Sequence, residues 1–126
     1  MVRFETSRFG KLEVAEDKVI QFPSGVLGFP QIKRYVLLDY EETPAKWLQA
    51  IDDPDVAFIV MEPTLLVRDY TISLDGITRQ ALQLETEEDL AVLTIVRVEK
   101  GKLLANLKGP LLFNSRLKIG LQAVLE

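Results

Sequence analysis

Residues 34–61 read RYVLLDYEETPAKWLQAIDDPDVAFIVM, and this stretch decides the fold. Arg34–Asp39 is a β-rich run, closed by the polar loop Glu41-Glu42-Thr43-Pro44. Lys46–Ile51 alternates in the manner of a half-buried strand. Asp52-Asp53-Pro54-Asp55 is strong turn chemistry, because aspartate bonds its own backbone and proline pre-sets φ. Val56–Met61 is nearly continuous apolar, as expected of a strand covered on both faces. Three β runs separated by two polar turns predict an antiparallel sheet rather than a helical bundle.

The flanks extend the same pattern. Arg3–Thr6 and Leu12–Val14 surround a tight turn at Arg8-Phe9-Gly10-Lys11, and Val19–Phe22 is another short strand. Ser24–Pro30 carries two glycines between Pro23 and Pro30, so it reads as a structured loop; Pro30 can open a short helical turn. Beyond residue 61, Thr64–Asp69 is ambiguous between a helical turn and extended chain, and Tyr70–Leu74 reads as a strand. Ile77–Leu84 has apolar residues at helical spacing, with Asp75 as its N-cap. Leu90–Val98 is the longest predicted strand. A hairpin loop at Glu99-Lys100-Gly101-Lys102 leads into Leu103–Leu107, then Leu111–Phe113 and Leu117–Leu125 follow, with a bulge expected at Gly120. Many short strands at close spacing predict one all-β domain over residues 1–126, mainly antiparallel, barrel-like or sandwich-like, with one short helix.

The 126 residues carry 15 basic and 19 acidic side chains, a net charge of −4, unevenly spread. Residues 1–38 sum to +2, residues 39–89 to −10 (three basic, thirteen acidic) and residues 90–126 to +4. If the acidic middle forms one surface, it repels nucleic acid and steers basic partners toward it; otherwise the charges simply solvate the chain. No apolar run approaches the ~20 residues of a membrane span. The N-terminus has no apolar core of the secretory-signal kind.

The chain has no cysteine and no histidine. Thiol nucleophiles, thiolate zinc sites and the commonest general base are therefore missing. Asp52, Asp53 and Asp55 crowd three carboxylates into four residues and could hold calcium or magnesium through oxygen. An EF-hand loop would require glutamate at its twelfth position, where Pro63 stands. The four serines lack an activating histidine, and neither a Gly-x-Gly-x-x-Gly nor a Walker-type phosphate loop is present. An RNA- or single-strand-binding β-barrel is the alternative function, with Phe4, Phe9, Tyr35 and Tyr40 as stacking platforms. Its basic groove would have to come from the C-terminal third, where edge lysines also serve to block sheet extension.

Two loops look tightly constrained. Phe22–Phe29 places two phenylalanines around a rigid glycine–proline loop, one ring for the core and one, Phe29, for the surface. Ala105–Asn114 brackets a Gly109-Pro110 turn with Asn106 and Asn114. Each asparagine either satisfies loop backbone or faces a partner.

These stretches resemble the FliW family of flagellar assembly factors. Thr6-Ser7-Arg8-Phe9-Gly10 is similar to the family's opening signature, and Ile20–Phe29 to its most distinctive loop. Trp47-Leu48-Gln49-Ala50, Asp52-Asp53-Pro54, Ala57-Phe58-Ile59-Val60 and Asp69-Tyr70 follow in the family's order. Ala105-Asn106-Leu107, Gly109-Pro110, Asn114-Ser115-Arg116 and Gly120-x-Gln122 complete a match across essentially the whole chain. Two features depart from it. Family members often continue past the last strand, where this sequence stops at Glu126, and Leu104 stands where the family usually has threonine.

The resemblance implies a cytoplasmic, non-enzymatic β-barrel without a cofactor that works by binding proteins. Its implied partners are flagellin and the translational repressor CsrA, with no direct nucleic-acid contact and no membrane. Binding to CsrA would relieve repression of flagellin mRNA, and newly made flagellin would compete for the same protein. The resemblance names no contact residues. On charge alone, Asp39, Glu41, Glu42, Asp52, Asp53 and Asp55 are expected to steer a basic partner, with Trp47 or Tyr40 as an aromatic anchor. Phe29, Asn106 and Asn114 form the second expected patch, facing flagellin or a shared surface.

Overall fold

The computed structural model describes residues 1–125. Ten strands occur among them: β1 (Val2–Thr6), β2 (Gly10–Val14), β3 (Ile20–Gln21), β4 (Arg34–Asp39), β5 (Lys46–Ala50), β6 (Ala57–Met61), β7 (Leu90–Glu99), β8 (Lys102–Ala105), β9 (Leu111–Asn114) and β10 (Ile119–Gln122). The stretch at 34–61 forms the expected antiparallel pairs, with Leu37 opposite Leu48 and Leu48 opposite Phe58. From β4 the sheet continues through β3, β10 and β9 to β7, and β7 pairs back onto β6. The sheet is therefore a closed barrel of seven strands, with β8 attached outside the ring. Closure removes the free edges that an open sheet would present. The ring is antiparallel except where β3 runs parallel to β10, at Gln21 opposite Ile119.

The ten residues of β7 make this closure possible. Leu90–Leu93 pair with β9, Thr94–Val96 with β6 and Val96–Glu99 with β8. Between Val96 opposite Ala105 and Leu93 opposite Leu111, the returning chain advances six residues against three on β7. The surplus forms the Asn106–Pro110 excursion, so the predicted strand Leu103–Leu107 ends at Ala105.

Inside the barrel, Ile20, Phe22, Tyr35, Leu48, Val60 and Phe113 are buried together. Phe22 meets Tyr35 edge-on at 5.5 Å between ring centroids. Truncating a side chain as enclosed as Leu48 to alanine costs about 2–5 kcal/mol in such a core. Tyr35 and Leu37 point inward from β4, while Val36 and Leu38 point outward. The outward face is covered by the separate β1–β2 ribbon, whose Val2, Phe4, Leu12 and Val14 pack on Val36, Leu38 and Ile51. That second layer explains the unbroken apolar run Tyr35–Leu38: both faces of β4 are dry.

Several elements differ from the sequence reading. Tyr70–Leu74 forms no strand, because β7 rather than this segment closes the barrel against β6. Pro63–Leu65 is a 3-10 turn, and Pro30 opens no helix. The helix α1 spans Gly76–Ala81, shorter than predicted, with Asp75 accepting a 2.7 Å bond from the Thr78 amide as its N-cap. Its apolar spacing is not a buried stripe: Ile77 is 81% exposed and only Leu82, just past the helix, is fully buried. The last strand is confined to β10 and carries no bulge, since Ile119–Gln122 pair continuously with β9. Gly120 serves another purpose there. A Cβ at this position would lie 2.8 Å from the Phe22 ring, so the glycine admits that ring to the core.

Candidate partner-binding surfaces

The two constrained loops meet at one side chain. Gln122 on β10 accepts a 2.8 Å hydrogen bond from the Leu27 amide through Oε1 and donates a 2.8 Å bond from Nε2 to the Gly109 carbonyl. It thereby ties the Phe22–Phe29 loop to the Asn106–Pro110 excursion, far apart in sequence. The first loop is set by its own backbone: the Gly25 amide donates to the Phe22 carbonyl and the Phe29 amide to the Val26 carbonyl. Gly25 sits at φ +71°, and a Cβ there would come within 2.5 Å of the Phe29 carbonyl oxygen. Only glycine fits that position.

Phe22 fills the core, as expected of one ring. Phe29 is half-buried and lies edge-on to Phe58 at 5.5 Å. Leu27, at the loop tip, is exposed. Asn106 is also exposed; its amide donates to Ile95 and its carbonyl accepts from the Thr94 hydroxyl. Asn114 answers its own question differently. It is fully buried, its Nδ2 donates to the Leu82 and Gln83 carbonyls, and its Oδ1 accepts from the Arg116 and Leu117 amides. The residue locks the end of the α1 segment to β9 and offers nothing to a partner, which corrects its place in the second patch.

The acidic residues are not one surface. Asp39 ends β4 and Glu41 and Glu42 lie in the β4–β5 connection, whereas Asp52, Asp53 and Asp55 lie in the β5–β6 turn at the opposite end of β5. At a rise of ~3.4 Å per residue, the length of β5 separates them by roughly 17 Å. The turn carboxylates are engaged internally. Asp52 forms a two-bond pair with Arg34 at 2.9 and 2.6 Å, Asp53 accepts from the Asp55 amide, and Asp55 accepts from the Ser7 hydroxyl. The Arg34 hydrogen bond holds the Asp52 carboxyl below its usual range. These three groups serve three different partners and do not converge as an oxygen cage. Nearby, the Tyr35 hydroxyl is buried without a hydrogen-bond partner among the described residues. Burial first, and then the Asp53 charge, push it up to about 12.

The β4–β5 connection is arranged otherwise. Asp39 pairs with Lys46 at 2.7 Å, but Glu41 and Glu42 have no ion-pair partner among the described residues and both are exposed. Glu41 sits at φ +48°. Beside this loop, Tyr40 stacks on Trp47 at 5.2 Å with the rings 11° apart. Arg8, from the β1–β2 turn, lies over the Trp47 ring at 4.2 Å, and Phe9 meets it edge-on at 6.1 Å. Trp47 is half-buried on the outside of the barrel rather than in its core. Arg8 and Gln122 were not singled out as site residues by the sequence reading. Their only signal was membership of the stretches Thr6–Gly10 and Gly120-x-Gln122.

A cleft of about 690 Å³ lies between α1 and the β9–β10 turn and is lined by Arg79, Gln83, Glu85 and Arg116 among others. Its cations are neutralised in place: Arg79 pairs with Glu87, and Arg116 with Glu85 and Asp89. The Arg116 hydrogen bonds, with backbone amides of Glu85 and Thr86, hold the Asp89 carboxyl down at about 2. No helix of the described residues is long and apolar enough to cross a membrane.

Residues 3–126 match the family model described as FliW protein. The chain is 37% identical over 129 residues to the flagellar assembly factor FliW of Natranaerobius thermophilus, covering 99% of this chain and 85% of that protein. It is 38% identical over 128 residues to the one from Geotalea uraniireducens, covering 99% and 78%. A crystal structure of the flagellar assembly factor FliW superposes with a TM-score of 0.91 at 33% identity, over 98% of this chain and 88% of that one. That structural match fits the barrel architecture and sequence order described above, and with the full-length family match it establishes that the chain belongs to the FliW family of flagellar assembly factors.

Proposed function

We propose that this protein is a cytoplasmic, non-enzymatic binding factor that partitions between flagellin and the RNA-binding translational repressor CsrA. Held by this protein, CsrA no longer represses flagellin mRNA; newly made flagellin competes for the protein and returns CsrA to its message. Family membership supports the choice of partners. The observation that carries the contact surface is the β4–β5 loop, where Glu41 and Glu42 are exposed and unpaired beside the Tyr40–Trp47 stack. Unpaired carboxylates next to a rigid aromatic pair combine long-range steering of a basic protein with an anchor for it. The β5–β6 turn is the poorer contact surface, because Asp52 is paired with Arg34 and the Asp53 and Asp55 carboxylates are held by the Asp55 amide and the Ser7 hydroxyl. The Leu27–Phe29 loop tip beside Asn106 is the second contact surface, for flagellin or for both partners.

Calorimetric titration with purified CsrA, repeated after saturation with flagellin, tests the reading. Tight CsrA binding that flagellin abolishes is the expected result. Binding to neither protein, or binding to bare RNA that weakens steeply with salt, would overturn it. Reversing Glu41 and Glu42 to lysine should slow CsrA association and flatten its salt dependence, while Asp52→Lys is unsuitable because it breaks the Arg34 pair.

A further inference from the structure

The β7–β8 hairpin projects from the barrel with an open side. β8 pairs with β7 and, among the described residues, with no other strand. In an antiparallel ladder the bonded pairs alternate. Asn106 donates toward β7, so Leu104 and Lys102 share that direction, and the amides and carbonyls of Leu103 and Ala105 point away from the sheet. The side chains around this free edge are apolar and uncovered: Val98 is 69% exposed, Leu103 47% and Leu104 40%. A cleft of about 300 Å³ lies over the β7–β8 pair, lined by Ile95, Val96, Arg97, Leu104, Ala105 and Asn106.

Charge narrows the occupant. Residues 97–108 hold Arg97, Lys100, Lys102 and Lys108 against Glu99 alone, a local +3 in a chain of −4. Glu99 is itself paired with Arg97 at 3.2 Å. Two such hairpins set edge to edge would repel, which disfavours a second copy of this chain. The segment has no aromatic side chain on which a base could stack, so single-stranded nucleic acid finds charge but no platform. An extended peptide finds both backbone partners and apolar contacts.

We propose that the free edge of β8 binds an extended, acidic segment of another protein as an added strand, with its alternate apolar side chains beside Leu103 on the face that Leu103 shares with Val98. Lysines on an edge strand ordinarily discourage pairing with neutral or basic strands; here they select the charge of the strand admitted. The inference goes beyond the partner switch and stands whether or not CsrA is bound.

The test uses the full chain, ¹⁵N-labelled, titrated with acetyl-(Glu-Val)4-amide and with its counterpart acetyl-(Lys-Val)4-amide. The acidic peptide should shift the amides of Val98 and Lys102–Asn106, slow hydrogen exchange at Leu103 and Ala105, and bind about tenfold tighter than the basic one. Leu103→Pro removes an outward amide while leaving the β7 ladder intact and should weaken the acidic peptide about fivefold or more. Lys100→Glu with Lys102→Glu, which touches no backbone, should invert the charge preference and keeps the proposal testable if the proline variant fails to fold. Equal binding of both peptides, undiminished binding by a folded Leu103→Pro variant, or shifts mapping elsewhere would overturn it. So would concentration-dependent shifts of the same amides without peptide, which indicate a second copy, or tighter binding there by an oligouridylate.

Discussion

The two loops stitched by Gln122 and the β4–β5 loop were equally conspicuous in sequence, and the structure uses them in opposite ways. In the first region polar groups face inward onto backbone: Gln122 joins Leu27 to Gly109, and Asn114 serves four main-chain groups. In the second, Glu41 and Glu42 are exposed and have no ion-pair partner among the described residues. Polar residues that build a loop cannot be read as contacts for a partner, and acidic residues count as available only when nothing internal claims them. The same distinction separates the two ends of β5. Asp52 is paired with Arg34, and Asp53 and Asp55 accept from the Asp55 amide and the Ser7 hydroxyl, so these three aspartates hold their own turn together.

The contrast can be broken in order of expected effect. Asn114→Ala removes four hydrogen bonds to the main chain, the one to the Leu82 carbonyl fully buried, and should cost about 3 kcal/mol in urea denaturation; a cost below about 0.5 kcal/mol would remove the lock. Gln122→Ala should cost about 1–2 kcal/mol and raise hydrogen exchange at Leu27 more than in the barrel strands. Unchanged exchange at Leu27 would mean that the two loops stand independently. At the exposed end, Glu41→Lys with Glu42→Lys should leave stability within about 0.5 kcal/mol, and its effect should appear only in the rate of association with a basic partner.

Asp89 supplies a pH-dependent version of the same test. Its folded carboxyl is held at about 2, below its unfolded value near 3.9. Its contribution is therefore complete above about pH 4 and is lost as pH falls toward 2. Asp89→Asn should flatten stability against pH in that interval, measured by denaturation at fixed pH steps. An unaltered slope would assign acid sensitivity to other carboxylates.

Much of the architecture was legible because strand alternation and turn chemistry are local. Arg34–Met61 announced three strands and two turns, and Asp75 announced its cap. The failures share one cause. Tyr70–Leu74 has strand-like residues but no strand beside it, and Ile77 has helical spacing but no surface to cover it. Gly120 looked like a bulge because its reason, the Phe22 ring, lies about a hundred residues away in sequence. The acidic middle looked like one face because sequence distance conceals that β5 runs between its two halves.

By itself the sequence determined which segments are extended, where the chain turns, and to which family its ordered motifs belong, since period, proline, glycine and aspartate act over a few residues. Only the tertiary structure decided that β7 closes the sheet, that a ribbon covers the outside of β4, and which polar groups are already satisfied. Those outcomes depend on pairings between residues far apart in the chain, and burial and hydrogen bonding are properties of the assembled neighbours rather than of any one segment.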